Sequence, residues 1–430
     1  MRTGLHPLHL VRLAGGLMAA IAVTAQAQEI LPTEAPQTSM QRYTAVTDRQ
    51  QPGYEAPGIA LGSWRLSPSL AIQTIGDDNI FVQDRGRKAD AILRLKPEAT
   101  LQTSWGANSV ALHALGTIDR YARYVSEDIA DVDLGATGTF NLGSSTSIRT
   151  SLRYLDAHQS RQSQDAFAQT IHPVRSTTTA AAAAIRQDFG RLRLSADATY
   201  ARRNYHDGTL PDGSIYEQDS SDNNSYRVGV RAAYAASPAM GFFVRAVGDW
   251  RNFRLGTVQT PKRDSRGYQL LAGIEFEPAA LVRGSIGVGY VSQHFLNRFY
   301  TDLSGPAINA KVEYFPTQLT TITLRADRQV LDSGIPGSGG YLSTEASLGI
   351  DHELMRSLII SASAGYQHNT FNNLDRRDDR ITATARATWR LNRMMALEAR
   401  YDRLDQSSHG VDRYRSYVDN RLMVGVTLRR

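Results

Sequence analysis

The chain has 430 residues, 41% of them hydrophobic, with a mean hydropathy of −0.35, 34 glycines and no cysteine. Those figures exclude a helical membrane transporter, a disulfide-stapled scaffold and a thiolate metal site. Forty-eight basic residues against 42 acidic ones give +6, and because Arg and Asp/Glu are interleaved along the whole chain instead of gathering in one stripe, nucleic acid is set aside as a partner.

Arg2, His6, His9 and Arg12 precede the apolar run Leu13 to Val23, and Ala25-Gln26-Ala27 follows it. This order predicts a signal peptide over residues 1–27, cleaved after Ala27. The run is shorter than the roughly 20 apolar residues that span a bilayer, so an uncleaved anchor is the weaker reading. Cleavage removes two arginines and no acid, which lowers the net charge from +6 to +4. Residues 28–60 are rich in Pro, Gln, Thr and Glu and lack an apolar period, which predicts a flexible periplasmic leader.

From residue 61 to 430 the pattern changes to segments of about ten residues in which apolar and polar positions alternate, as in transmembrane β-strands. Between Ile92 and Trp105, the residues Ala99, Leu101 and Trp105 share one parity and Arg94, Lys96, Glu98, Thr100 and Gln102 the other. Ile381, Ala383, Ala385, Ala387, Trp389 and Leu391 likewise alternate with Thr382, Thr384, Arg386, Thr388 and Arg390. Brief connections near residues 106–108, 143–145, 189–191, 237–239, 278–280, 315–317, 355–356 and 392–393 alternate with mostly longer polar ones. Such asymmetry belongs to outer-membrane barrels, whose short turns face the periplasm. The expected fold is all-β: a single transmembrane, antiparallel, up-and-down β-barrel of about 18 strands, surrounded by outer-membrane lipid, with both termini periplasmic. Sixteen strands is the alternative, because Leu70 to Ile75 and Thr177 to Ile185 alternate weakly and the run Ala180 to Ala184 has helical propensity. Aromatic residues near the strand ends, among them Trp64, Trp105, Tyr121, Tyr124, Tyr154, Tyr200, Tyr234, Trp250, Tyr290, Tyr366, Trp389 and Tyr401, are candidates for two interfacial girdles or for plain cross-strand packing.

The stretch Gly58 to Phe81, GIALGSWRLSPSLAIQTIGDDNIF, resembles the opening segment of the putative β-barrel porin 2 family of Gram-negative outer-membrane proteins. Gly62, Pro68-Ser69-Leu70 and the Asp77-Asp78-Asn79-Ile80-Phe81 exit carry the resemblance, and the hairpin pattern extends it over residues 56–430. Membership implies a role as the outer-membrane exit for an exported polysaccharide, with a periplasmic polysaccharide-export protein as partner. The chain ends in Leu428-Arg429-Arg430 and lacks the terminal aromatic of many outer-membrane barrels.

On the inward parity lie Arg94, Lys96, Glu98, Arg149, Arg153, Arg193, Asp197, Arg227, Arg231, Arg245, Asp249, Arg251, Arg325, Asp327, Arg386, Arg390, Glu398, Arg400 and Asp402. Arginine exceeds acid in this set, so the wide lumen is expected to attract anions, an anionic polysaccharide included. The plainer reading pairs these charges across neighbouring strands. The acids of residues 206–224 lack the spacing of a calcium loop, Asp77-Asp78-Asn79 reads as a turn cap, and the histidines show no metal-ligand spacing, so no metal and no cofactor are expected. No nucleophile elbow, phosphate loop or dinucleotide fingerprint occurs, and the chain is not expected to be an enzyme. A passive polysaccharide conduit is thus the first expectation. A general or anion-selective diffusion porin is the second, and an outer-membrane enzyme or adhesin displaying long loops the third.

Overall fold

The computed structural model describes residues 44–164, 170–258, 260–279 and 281–430. The signal peptide expected over 1–27 and the first part of the leader lie outside the described residues. Twenty-one strands occur among them: β1 (Ile59–Leu61), β2 (Trp64–Asp77), β3 (Asp90–Trp105), β4 (Asn108–Tyr121), β5 (Ile129–Leu142), β6 (Thr146–His158), β7 (Arg175–Phe189) and β8 (Leu192–Tyr205) come first. A small hairpin of β9 (Gly208–Thr209) and β10 (Ile215–Tyr216) interrupts the series. It resumes with β11 (Asn223–Ser237), β12 (Met240–Phe253), β13 (Ser265–Ala279), β14 (Val282–Phe295), β15 (Leu303–Thr317), β16 (Thr320–Asp332), β17 (Gly340–Met355), β18 (Leu358–Phe371), β19 (Arg377–Arg390), β20 (Met395–His409) and β21 (Tyr417–Arg429).

Each long strand pairs antiparallel with the next, β8 pairs with β11 across the small hairpin, and β2 pairs with β21, so 18 strands form a closed ring with β1 added to the foot of β2. The higher of the two expected strand counts is the one realised. Both weak segments are strands, and the alanine run lies in β7, held in register by β6 and β8 on either side; ladder pairing outweighs alanine's small helical preference.

The apolar parity points outward. Leu422 and Val424 are each 58% exposed, and Leu93, Leu134, Leu152, Val244, Leu270, Val288 and Ile381 stand likewise. So much bare hydrocarbon on a closed wall is stable only against lipid. Trp105, Phe189, Tyr234, Tyr314 and Trp389 ring the side with the short turns, and Tyr154, Tyr226, Trp250, Tyr268, Tyr290, Tyr366 and Tyr401 ring the side with the long loops, which gives the two interfacial belts. Tyr121 is not among them: it points inward and packs against Ile75, Ile92 and Met423.

The family-motif residues fasten the ring. Gly62 takes φ +64° in the tight turn from β1 to β2, a conformation that favours glycine. Pro68 stands just below the last β2–β21 pair, Ser69 with Arg429, where its carbonyl accepts from the Arg430 N–H at 3.1 Å and no ladder donor is required of it. Leu70 pairs with Leu428 on the lipid face. At the other end Asp77 accepts from the Asn79 N–H at 2.8 Å, Asp78 accepts from the Asn420 N–H at 2.8 Å and its side-chain amide at 2.7 Å, and Asn79 donates to the Val418 carbonyl at 2.8 Å. Sequence reasoning assigned a turn cap here; the motif also clasps the first strand to the last.

Inside the wall, Gly273 and Gly287 leave room for the Phe243 ring, and Gly289 lies against the Leu270 backbone, where an added Cβ would fall 1.7 Å from the carbonyl oxygen. Gly289→Ala is expected to lower stability by about 1–3 kcal/mol, the usual cost of overpacking, whereas Gly76→Ala, with nothing within 4 Å, is expected to leave it unchanged. The temperature at which the folded form loses its fast electrophoretic mobility measures both.

Candidate functional site: a barrel lumen closed down at both mouths

The inward parity is a lattice of ion pairs, most of them between strands and some, such as Arg251–Asp249 and Arg400–Asp402, along a single strand. Arg94 grips Asp119 through Nε and Nη2 at 2.7 and 2.6 Å, Arg153 grips Asp133 at 2.9 and 2.7 Å, and Arg245 reaches Asp197 at 3.0 Å. Arg251 meets Asp249 at 3.1 Å and Asp332 at 2.5 Å, Arg386 meets Glu398 at 3.2 Å, and Arg400 meets Asp402 at 2.7 Å. Asp402 accepts in addition from the Thr384 hydroxyl at 2.7 Å. Arg390 lies half-buried near the turn side. Lys96, half-buried, and Glu98 and Arg325, both exposed on the inner face, make no ion pair among the described residues. Glu98 and Arg325 are thus accessible charges on the inner face.

The expected surplus of arginine does not hold. Asp119, Asp133, Asp188, Glu275, Glu313, Asp351 and Glu353 also occupy the inward parity. The further bases there, Arg186, Arg203, Arg283, Lys311, Arg380 and Arg421, are met by Asp77, Asp131, Glu345, Asp378 and Asp419, so acid and base on the inner wall are nearly matched. The physical reason is the one the plainer reading gave: opposite charges on neighbouring strands stand within reach of each other and neutralise. The signal was present in the sequence, because Asp119 and Asp133 follow the period of two from His113 and Gly135.

Two segments enter the barrel at the loop side. The first joins β6 to β7. Arg161 sits at its base, donating to Glu127 at 2.9 and 2.8 Å, to the Thr170 hydroxyl at 3.0 Å and to the Thr170 carbonyl at 2.8 Å, with both charged partners buried. Beyond it the loop crosses to the far wall. The Gln162 side chain donates to Asp419 on β21, and its carbonyl accepts from Arg380 on β19 at 2.7 Å. Asn369 on β18 donates to Gln164. β18 is eight to nine strands from β6 and β7 around a ring of eighteen, so the tie spans the lumen.

The second is the β16–β17 hairpin. Register with β15 ends at Asn309 opposite Asp327, and beyond it the hairpin leans inward, so that Val330 and Leu342 pack on Leu271, Val291 and Ala307 of β13, β14 and β15. Arg251 on β12 holds it by donating to the Val330 carbonyl at 2.9 Å.

At the turn-side mouth the chain ahead of β1 follows the rim from β16 and β17 round to β21. Residues 44–58 were expected to be a flexible leader; they lie instead against the barrel rim. Val46, fully buried, donates its N–H to Thr321 at 3.0 Å. Glu353 accepts from Arg49 at 3.1 Å and from Gln51 at 2.9 Å, and Arg393 and Arg429 donate to the carbonyls of Gly53 and Tyr54 at 3.3 and 2.8 Å. A segment without a period of its own is ordered here because its polar groups find partners on a ready-made rim.

Asp77, Asp78 and Asp419 come close enough to share a cation. Arg421 already bridges Asp77 at 2.8 Å and Asp419 at 3.3 Å, so the trio has its counter-charge. In the neighbouring loop Arg415 donates to the Phe81 carbonyl at 3.0 Å; burial lowers its pKa, opposed by Tyr414 and Tyr417. The acids of the 206–222 loop serve local donors: Asp207 accepts from the Gln218 N–H at 2.9 Å, Asp212 from Ser214 at 2.9 Å, and Asp222 from the Tyr205 N–H at 2.7 Å.

With this architecture in view, the profile of the family described as putative beta-barrel porin 2 matches residues 51–430. The chain belongs to that family. No curated protein matches it. Among solved structures, OpdK of Pseudomonas aeruginosa, determined with vanillate, is 10% identical with a TM-score of 0.45, covering 85% of this chain and 99% of that one. OpdL of the same organism is 12% identical with a TM-score of 0.43, covering 86% and 99%. A mutant of the ferric enterobactin receptor PfeA, also from that organism, is 8% identical with a TM-score of 0.45, covering 87% and 81%. At these identities the likeness is one of fold alone. This family member is an integral β-barrel of the outer membrane.

Arg161→Ala leaves Glu127 buried without its partner, a loss of about 3–5 kcal/mol. That exceeds what a surface loop's own ties supply, so the crossing loop is expected to unseat, raising single-channel conductance and exposing the segment to protease. Glu353→Ala is expected to free the turn-side segment and raise conductance by a separate step, additive with the first because the two sites share no partner.

Proposed function

We propose that the chain is a passive channel for small hydrophilic solutes, set in the outer membrane with its short turns and both termini on the periplasmic side. One observation carries the reading: the β6–β7 loop is tied across the lumen to Asp419, Arg380 and Asn369, so the bore is set by side chains around a fixed strap and not by the barrel's full width. A ring of this size alone would hold an aqueous channel. The strap and the inward hairpin narrow its loop side, the segment 44–58 narrows its turn side, and the waist between them stays hydrated around Lys96, Glu98 and Arg325. Small solutes and water can pass such a sequence of openings; a polymer chain would have to displace each barrier along its whole length. The diffusion-porin reading is therefore preferred over the polysaccharide exit implied by the family resemblance, and a periplasmic export protein is needed only on that second reading. The orientation follows from connection length, since outer-membrane barrels carry their short turns inside and their long loops outside.

Selectivity follows from the matched wall. With most inward charges paired, the channel is expected to discriminate weakly between anions and cations. Planar-bilayer recordings test this. Discrete conductance steps with a reversal potential near zero in a salt gradient are expected, and a bilayer that stays silent with the wild-type chain and with the strap removed would sink the proposal. Replacing Arg386 and Arg400 together by Gln strips Glu398 and Asp402 of their cationic partners. The reversal potential is then expected to move towards cation preference.

A further inference from the structure

The ring is complete at its turn side and incomplete at one place on its loop side. β14 and β15 pair without a break from Leu303 to Tyr314, whereas β15 and β16 pair only from Asn309 onward. Continuing that register would set Ile308 opposite Arg328 and Pro306 opposite Val330. Pro306 explains why it stops. It faces Tyr290 inside an intact β14–β15 ladder, and a residue with no N–H can keep that place only where its nitrogen turns the other way, towards β16. The edge that β16 should meet therefore lacks a donor.

On the other side of the seam the freed carbonyls are taken up from within. The Val330 carbonyl accepts from Arg251 at 2.9 Å and the Arg328 carbonyl from the Gln269 amide at 3.5 Å. Among the described residues no side chain does the same for the edge of β15 at Ser304, Pro306 and Ile308, in a wall that faces the bilayer, where unpaired backbone groups are costly. Beneath it the hairpin packs Val330 and Leu342 on Leu271, Val291 and Ala307, an apolar floor. It also offers the Arg328 guanidinium, which passes under Gly305 (an added Cβ there would lie 3.6 Å from Nη2) and meets no carboxylate among the described residues. Its Nε is buried without a hydrogen-bond partner. An unpaired cation between a hydrocarbon edge and a hydrocarbon floor suits one chemistry: a single chain ending in an anion.

We propose that the loop-side half of the β15–β16 seam is a binding cleft for a free single-chain carboxylate, with its head on Arg328 and its tail along Pro306 and Ile308, open sideways to the outer leaflet. This site is separate from the hydrophilic path through the waist, so the two can fail independently.

The test is photolabelling of the full chain in nanodiscs with diazirine-bearing laurate. Label is expected on Leu303–Ile308 and on 328–342, displaced by unlabelled laurate and at least about tenfold less well by dodecanol, because a hydrogen-bonded charge accounts for about that difference. Arg328→Gln, checked for folding by heat-modifiable mobility, is expected to reduce labelling about tenfold. Should that variant not fold, Gly305→Val, which fills the space between β15 and the guanidinium, is expected to do the same. Label spread evenly over the lipid-facing strands, equal displacement by laurate and dodecanol, or label that only lipopolysaccharide displaces would each overturn the proposal.

Discussion

Hydrocarbon offers no hydrogen bond to a peptide group, and this one condition governs the molecule. Each strand has to hand its N–H and C=O groups to a neighbour, and the last has to hand its own back to the first. The pairing of β2 with β21 is therefore the keystone of the ring, and the side chains spent on it are correspondingly elaborate. Asp77, Asp78 and Asn79 together address backbone or side-chain groups at Val418, Asn420 and Arg421. The motif most recognisable in the sequence is a motif of closure, and it says nothing about cargo.

The same condition explains which parts of the fold could be read directly. A strand in a membrane wall has one side against lipid and one against water, so a period of two is imposed on every crossing, and the alternation around Ile381 to Leu391 shows it without ambiguity. Connection lengths gave the ring size because a barrel cannot hide an odd connection. The weak points were those where the lumen side carries small residues: Ala180, Ala182 and Ala184 point inward in β7, so neither face of that strand declares itself by polarity.

The site was less legible than the wall, again for a physical reason. Which side chains face inward follows from parity, but which of them remain free follows from register between strands distant in sequence. Arg94 looks like an open cation until Asp119 arrives on β4, and Arg386 until Glu398 arrives on β20. The strap was harder still. Gln162 and Gln164 belong to an unremarkable polar stretch, and their partners Asp419, Arg380 and Asn369 lie more than two hundred positions further on. Nothing local in an amide-rich loop distinguishes one that spreads over the surface from one that dives inside.

The segment ahead of β1 has a bearing on how the molecule comes together. Val46, Arg49 and Gln51 are among the first described residues to emerge during synthesis, yet the groups they rest on, Thr321 and Glu353, belong to the thirteenth and fourteenth strands of the ring. Their berth does not exist until most of the cylinder has been laid down. The segment 44–58 can thus seat only once β16 and β17 are in place, like a latch that closes after its frame has been built.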